Sequence, residues 1–104
     1  MDVLEIFKSA PFDRWLIGLR DMRARARIQM RLDRLALGNP GDVKPVGAGI
    51  SEMRIDYGPG YRVYFFTVGT TAVILLCGGD KTTQTADIAK AKTIAARWKE
   101  GAHE

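Results

Sequence analysis

Arg54 and Arg62 lie in neighbouring strand-like runs, SEMRIDY and YRVYFFTV, joined by the turn GPG. Successive side chains of a strand point to opposite faces. Glu52, Arg54 and Asp56 therefore share one face, and Met53, Ile55 and Tyr57 the other. In the second run Arg62, Tyr64 and Phe66 alternate with Val63, Phe65 and Thr67. Pairing Arg54 opposite Arg62 places both guanidinium groups on one face and stacks Met53 and Ile55 beside Val63 and Phe65 on the other. A slip of one residue would break this sorting. Two like charges side by side on a sheet repel, so the pair calls for an anion: Asp56 or Glu52 from within, or a phosphate from outside. A third run, TAVILLC, ends in GGDKTTQ. Glycines at a strand end permit close backbone approach, and Lys81 follows them at once, expected beside the Arg54 and Arg62 face.

A second set of cations has helical spacing. Arg20, Arg23, Arg27, Arg31 and Arg34 follow one another at three or four residues, beside an apolar stripe of Ala24, Ile28, Leu32 and Leu35. Such a face meets RNA phosphate, meets an acidic partner segment, or is simply solvated. One cysteine and one histidine give no ligand cluster for a transition metal, and no cofactor is expected. GGDKTT lacks the spacing of a phosphate-binding P-loop. His103 sits in the tail GAHE, which is expected to fray and to leave it inert.

These residues need elements to hold them. VLEIFKS is read as a short strand, APFDRWLIGL as a helix with Pro11 in its first turn, and Met22 to Leu37 as a second helix capped by Asp21. Gly38 to Gly41 ends that helix, and residues 38 to 50, rich in Gly and Pro, read as a loop. The three strand-like runs with turns GPG and GT predict an antiparallel meander. TADIAKAKTIAARWKE closes the chain as a helix, with Thr85 as its N-cap and Ile88, Ala91, Ile94 (or Ala95) and Trp98 as its packed stripe. The expected class is α+β, in the order β-α-α-β-β-β-α.

The length of 104 residues suggests one domain over 1–104. Cys77, alone in an apolar run, reads as a small buried hydrophobe and fits a reducing cytoplasm. MDVLEIF has no basic stretch before an apolar core, so no signal peptide is expected. The apolar runs fall far short of the roughly 20 residues of a membrane span. A net charge of +4 and a pI near 9.5 favour an acidic partner such as nucleic acid or a negative protein segment.

The stretches GISEMRIDYGPGYRVYFF and VILLCGGDKTTQTADIAKA resemble RelE/ParE-superfamily toxins of type II toxin–antitoxin systems, in particular the small addiction module killer proteins near the HigB toxins. The resemblance covers nearly the whole chain and is strongest from Gly49 to Ala91. It implies a twisted antiparallel sheet with two N-terminal helices against it, and an antitoxin partner, often a helix-turn-helix protein, through which operator DNA is bound. RelE-type members cleave messenger RNA on the ribosome without a metal; ParE-type members inhibit DNA gyrase without nuclease chemistry. A basic module that only assembles with its partner on operator DNA is a third class. In the nuclease reading, Arg62 holds the scissile phosphate, Arg54 orients or activates the 2′-OH, and Lys81 neutralises charge or the leaving oxygen. Tyr64 lies on the right face for acid–base work, and Arg23, Arg27, Arg31 and Arg34 are candidate contacts to RNA.

Overall fold

Ser9 makes the first corner of the chain. Its buried hydroxyl accepts from the Phe12 amide at 3.1 Å and donates to the Leu76 carbonyl at 2.7 Å. One side chain thus starts helix α1 (Ala10–Gly18) and ties that start to a distant strand, as an N-cap hydroxyl does when it also has an acceptor to meet. The computed structural model describes residues 3–101; His103 lies outside them. Helix α2 (Met22–Ala36) begins at Asp21, whose carboxylate accepts from the amides of Arg23 and Ala24 at 2.9 and 3.2 Å. Its buried residues are Ala24, Ile28, Leu32 and Leu35, the stripe expected from the spacing.

Five strands form one sheet: β1 (Glu5–Lys8), β2 (Val43–Gly47), β3 (Ile50–Ile55), β4 (Tyr61–Val68) and β5 (Ala72–Gly79), in the order β1-β5-β4-β3-β2. The meander of β3, β4 and β5 is antiparallel, as expected, and β3 meets β4 with Arg54 opposite Arg62 and Met53 opposite Val63. Two expectations about the sheet are corrected. The sheet is mixed, because β1 runs parallel to β5, with Glu5 beside Ala72 and Lys8 beside Leu75. Parallel neighbours need a long crossover, and both helices and three strands supply it here. The segment read as a loop also contains an edge strand, β2, paired antiparallel with β3. Pro45 has no N–H to donate and so is confined to an edge, where the register shifts between Pro45 and Gly47.

The sheet has a helix layer on each face. Met53, Ile55, Val63, Phe65, Val73 and Leu75 pack against Phe12 and Leu16 of α1 and Ile28, Leu32 and Leu35 of α2. Ile50, Tyr64, Phe66, Ile74, Leu76 and Cys77 face Ala91 and Ala95 of the last helix, α3 (Gln84–Lys99). Each fully buried large apolar side chain contributes about 1.5–3 kcal/mol, so the first face carries most of the stability. Cys77 is buried as expected, and burial pushes its thiol up to about 12. Thr85 does not cap α3. A 3₁₀ turn, Lys81–Thr83, precedes the helix, and Asp80 caps that turn by accepting from the Thr82 amide at 2.8 Å. Among the described residues no helix is long and apolar enough to cross a membrane.

Trp15 lies against Gly78, so a Cβ at that position would land on the indole ring. Gly78→Ala should lower stability by about 1–3 kcal/mol in thermal or urea melts. Gly18→Ala, where a Cβ meets open space, should be neutral or gain up to about 1 kcal/mol. Equal melting of the two variants would contradict this packing.

Candidate functional site

The cross-strand pairs Glu52–Tyr64 and Arg54–Arg62 sit side by side on the face of the sheet that α3 covers. Glu52 is 0% exposed. Its Oε1 accepts from Arg54 Nε at 3.2 Å and lies 3.7 Å from Arg62 Nε. Its Oε2 accepts from the Tyr64 hydroxyl at 3.0 Å and from Gln84 Nε2, at the start of α3, at 2.7 Å. Glu52, not Asp56, is therefore the internal counter-charge of the arginine pair; Asp56 is exposed. Burial alone would raise the Glu52 pKa, but hydrogen bonds from Gln84, Arg54 and Tyr64 and the charge of Arg62 outweigh it and hold the carboxyl below its ordinary value. Two guanidinium groups against one carboxylate leave a net positive charge.

That charge borders a cleft of about 440 Å³, lined by Arg54, Arg62 and Lys81, by Asp42 and Asp56, and by the turn Gly58 to Gly60. The three cations singled out from the sequence thus converge on one cavity. Arg54 has 36% of its side chain exposed and Arg62 13%, so Arg54 is the more accessible fork and Arg62 the more rigid. Arg62 Nη1 donates to the carbonyls of Gly60 at 3.1 Å and Tyr61 at 3.4 Å. Lys81 projects from the capped 3₁₀ turn. Its Cβ lies 3.4 Å from where a Cβ on Gly60 would stand, and Gly60 has φ +80°. The hairpin turn therefore favours glycine there for its left-handed backbone, with Lys81 in ordinary contact. Fixed cations around a cavity of this kind suit a phosphate group, because a planar fork binds its oxygens in pairs and an ammonium adds a point charge.

Tyr64 belongs to this network but is enclosed, with its hydroxyl committed to Glu52. Burial first, and then Glu52, push its pKa well above the ordinary tyrosine value, so it is a neutral donor throughout the physiological range. Among the described residues no group of three or more His, Cys, Asp or Glu could hold a metal ion.

The helix arginines separate into two kinds. Arg31 turns inward and donates to the carbonyls of Arg54, Pro40 and Asp42, which locks α2 to the ends of β2 and β3. Arg27 stacks on Tyr57 with 4.7 Å to the ring centroid, and the Tyr57 hydroxyl donates to Asp21 at 3.0 Å. Arg23 and Arg34 are exposed; with Arg27, Arg31 and Met30 they line a second groove of about 620 Å³. Ile55 and Asp56 line both cavities, so the two adjoin. Arg20 precedes α2 and is exposed. The depth of Glu52 and the role of Gln84 escaped the sequence reading. Their signal was the column Ile50, Glu52, Arg54, whose first member is apolar and so marks a covered strip of that face.

Residues 15–99 match the family described as Phage derived protein Gp49-like (DUF891). The chain belongs to this family, which is a RelE/toxin-like one. A protein of Haemophilus influenzae (strain ATCC 51907 / DSM 11121 / KW20 / Rd), described as an uncharacterized protein, is 51% identical over 92 residues, covering 88% of this chain and 93% of that protein. The matched span contains every residue of the cleft and of the α2 groove.

Removing the hub should be costly. Glu52→Ala strands two cations on a covered face and should lower stability by about 2–4 kcal/mol in urea titration. The folded-state pKa of Glu52 is depressed below the ordinary 4.5. Its contribution is therefore complete above that pH and is lost as pH falls through the folded value. Melting temperatures between pH 6 and pH 2.5 should fall more steeply for the unaltered protein than for Glu52→Gln; parallel curves would contradict the assignment.

Proposed function

We propose that this protein, as one toxin domain over its whole length, is the toxin of a type II toxin–antitoxin system of the HigB-like addiction module group. In this reading it is a ribosome-dependent endoribonuclease of messenger RNA that works with side-chain cations in place of a metal. The observation that carries the reading is the convergence of Arg54, Arg62 and Lys81 on one cleft. Attack by a 2′-OH forms a 2′-O–P bond and breaks the P–O5′ bond, leaving a cyclic phosphate and a 5′-OH. Negative charge grows on the phosphorane oxygens in between, and cations fixed beforehand stabilise it without reorganising. Arg62, the more rigid fork, holds the scissile phosphate. Arg54 orients the 2′-OH, and Lys81 meets the charge on the leaving oxygen. Positioning of messenger on the ribosome supplies much of the remaining effect.

The partners follow from the same reading: a cognate antitoxin, of helix-turn-helix type, that silences the toxin in the cytoplasm, and operator DNA bound through that antitoxin. The outer arginines of α2, Arg23, Arg27 and Arg34, supply phosphate contacts to ribosomal RNA, a salt-dependent and sequence-independent attraction. Arg31 serves this surface only indirectly, since its fork is spent on three carbonyls.

Brief induction in cells tests the reading, with primer extension on an abundant messenger and a plasmid supercoiling assay run side by side. Codon-linked cuts are expected; altered supercoiling without cuts would overturn the nuclease in favour of a gyrase inhibitor on the same fold. Arg62→Ala should lower cleavage by about 100-fold or more, and Arg62→Lys, which keeps the charge but loses the fork, by less. A folded Arg62→Ala protein with full toxicity would remove the site assignment. Charge reversal at Arg23 and Arg34 should abolish cosedimentation with ribosomes. Retained cosedimentation with lost antitoxin binding would assign the groove to the antitoxin.

A further inference from the structure

Glu52 occupies a position that makes little sense for anion binding alone. A carboxylate beside a phosphate site repels the ligand, and this one has no exposed surface. Its neighbours explain its presence. Tyr64 and Gln84 are neutral donors, from β4 and α3, and they pin one oxygen at 3.0 and 2.7 Å. The carboxylate is thereby fixed from two elements and cannot follow a moving arginine. Arg54 donates its Nε to the other oxygen at 3.2 Å, and Arg62 holds its Nε 3.7 Å from that same oxygen, an ion pair without a hydrogen bond. Among the described residues Arg54 donates only through its Nε, and Arg62 donates its Nη1 to two carbonyls while its buried Nε makes no hydrogen bond. Both arginines line the cleft.

We infer that Glu52 is a positioning residue: a buried carboxylate, held by Tyr64 and Gln84, that aims Arg54 and Arg62 together at a phosphate group in the cleft. The inference rests on the phosphate-cleft reading above and adds the group that orders it. The signature is specific. Removing the negative charge makes the cleft more positive, so binding holds or tightens. The arginines lose their common aim, so turnover falls. A group that only stabilised the fold would move neither constant once rates are corrected for folded protein. A group that only tuned charge would improve both.

Cleavage by the purified full chain on programmed ribosomes, with kcat and KM separated, reads this signature. Glu52→Gln should lower kcat by about 10–100-fold, as misdirection of reacting groups does, while KM stays level or falls by up to about 3-fold. Gln84→Leu leaves the carboxylate charged but cuts one tether, and should lower kcat by about 3–10-fold with KM level. Thermal melts give the folded fraction for each, and should Glu52→Gln fail to fold, Gln84→Leu decides. A kcat within 2-fold of the unaltered protein for every folded variant would overturn the inference. Should the unaltered protein cleave nothing, the nuclease reading falls, and the arginine Nε–H resonances decide the inference during titration with inorganic phosphate. Separate, phosphate-sensitive signals for Arg54 and Arg62 that merge toward averaged positions in Gln84→Leu support it. Identical spectra and titrations in the two proteins overturn it.

Discussion

A charged carboxylate taken out of water must have its oxygens met by donors, or the fold bears a penalty of several kcal/mol. Glu52 is that group here, and much of the molecule follows from meeting it. The donors are Arg54 from the same strand, Tyr64 from the next and Gln84, the first residue of α3, with the charge of Arg62 3.7 Å away. The register between β3 and β4, the place where α3 begins and the direction of two guanidinium groups answer one requirement. The 3₁₀ turn that carries Lys81 ends where Gln84 begins, so the third cation is located by the same docking.

The two faces of the sheet divide the work. Against α1 and α2 the core is built of large aliphatic and aromatic side chains. Against α3 it is thinner, because the helix offers Ala91 and Ala95 at its buried positions. Small residues let a helix backbone approach the sheet, and that closeness lets the amide of Gln84 reach the Glu52 carboxylate. Cations are divided in the same manner. Arg31 spends its fork on three carbonyls and serves as a structural clamp, Arg54 and Arg62 are half-committed, and Arg23 and Arg34 face solvent. Residue type alone would have grouped all five.

What the sequence made legible depended on how local the cause was. The Arg54–Arg62 pairing could be read because alternation and a hairpin turn act within a few residues, and the stripe of α2 for the same reason. The parallel pairing of β1 was not legible, since its partner is remote and nothing in VLEIFKS names it. β2 was obscured because Pro45 and Gly47 are turn residues by composition, and an edge position is what makes a proline compatible with a strand. Both candidate counter-charges, Glu52 and Asp56, have the correct parity; what separates them is cover by α3, a tertiary fact. Arg31 carried a faint local signal, lying three residues after Ile28 and four before Leu35, at the border of the buried stripe. A helix of arginines at regular spacing hid it.

The parallel pairing of β1 with β5 has a consequence in time. The first strand of the chain finds its partner only when Ala72 to Leu75 exist. At about 5–20 residues per second, synthesis separates the two by several seconds. During that interval β1, α1 and α2 have been made while most of the sheet has not, and the apolar faces of the two helices wait uncovered. Non-local pairing of this kind also slows folding itself. The cleft is later still, because Lys81 and Gln84 follow β5. A nascent chain therefore holds its arginines without the geometry that gives them a common target, and that geometry appears only once Lys81 and Gln84 have been added.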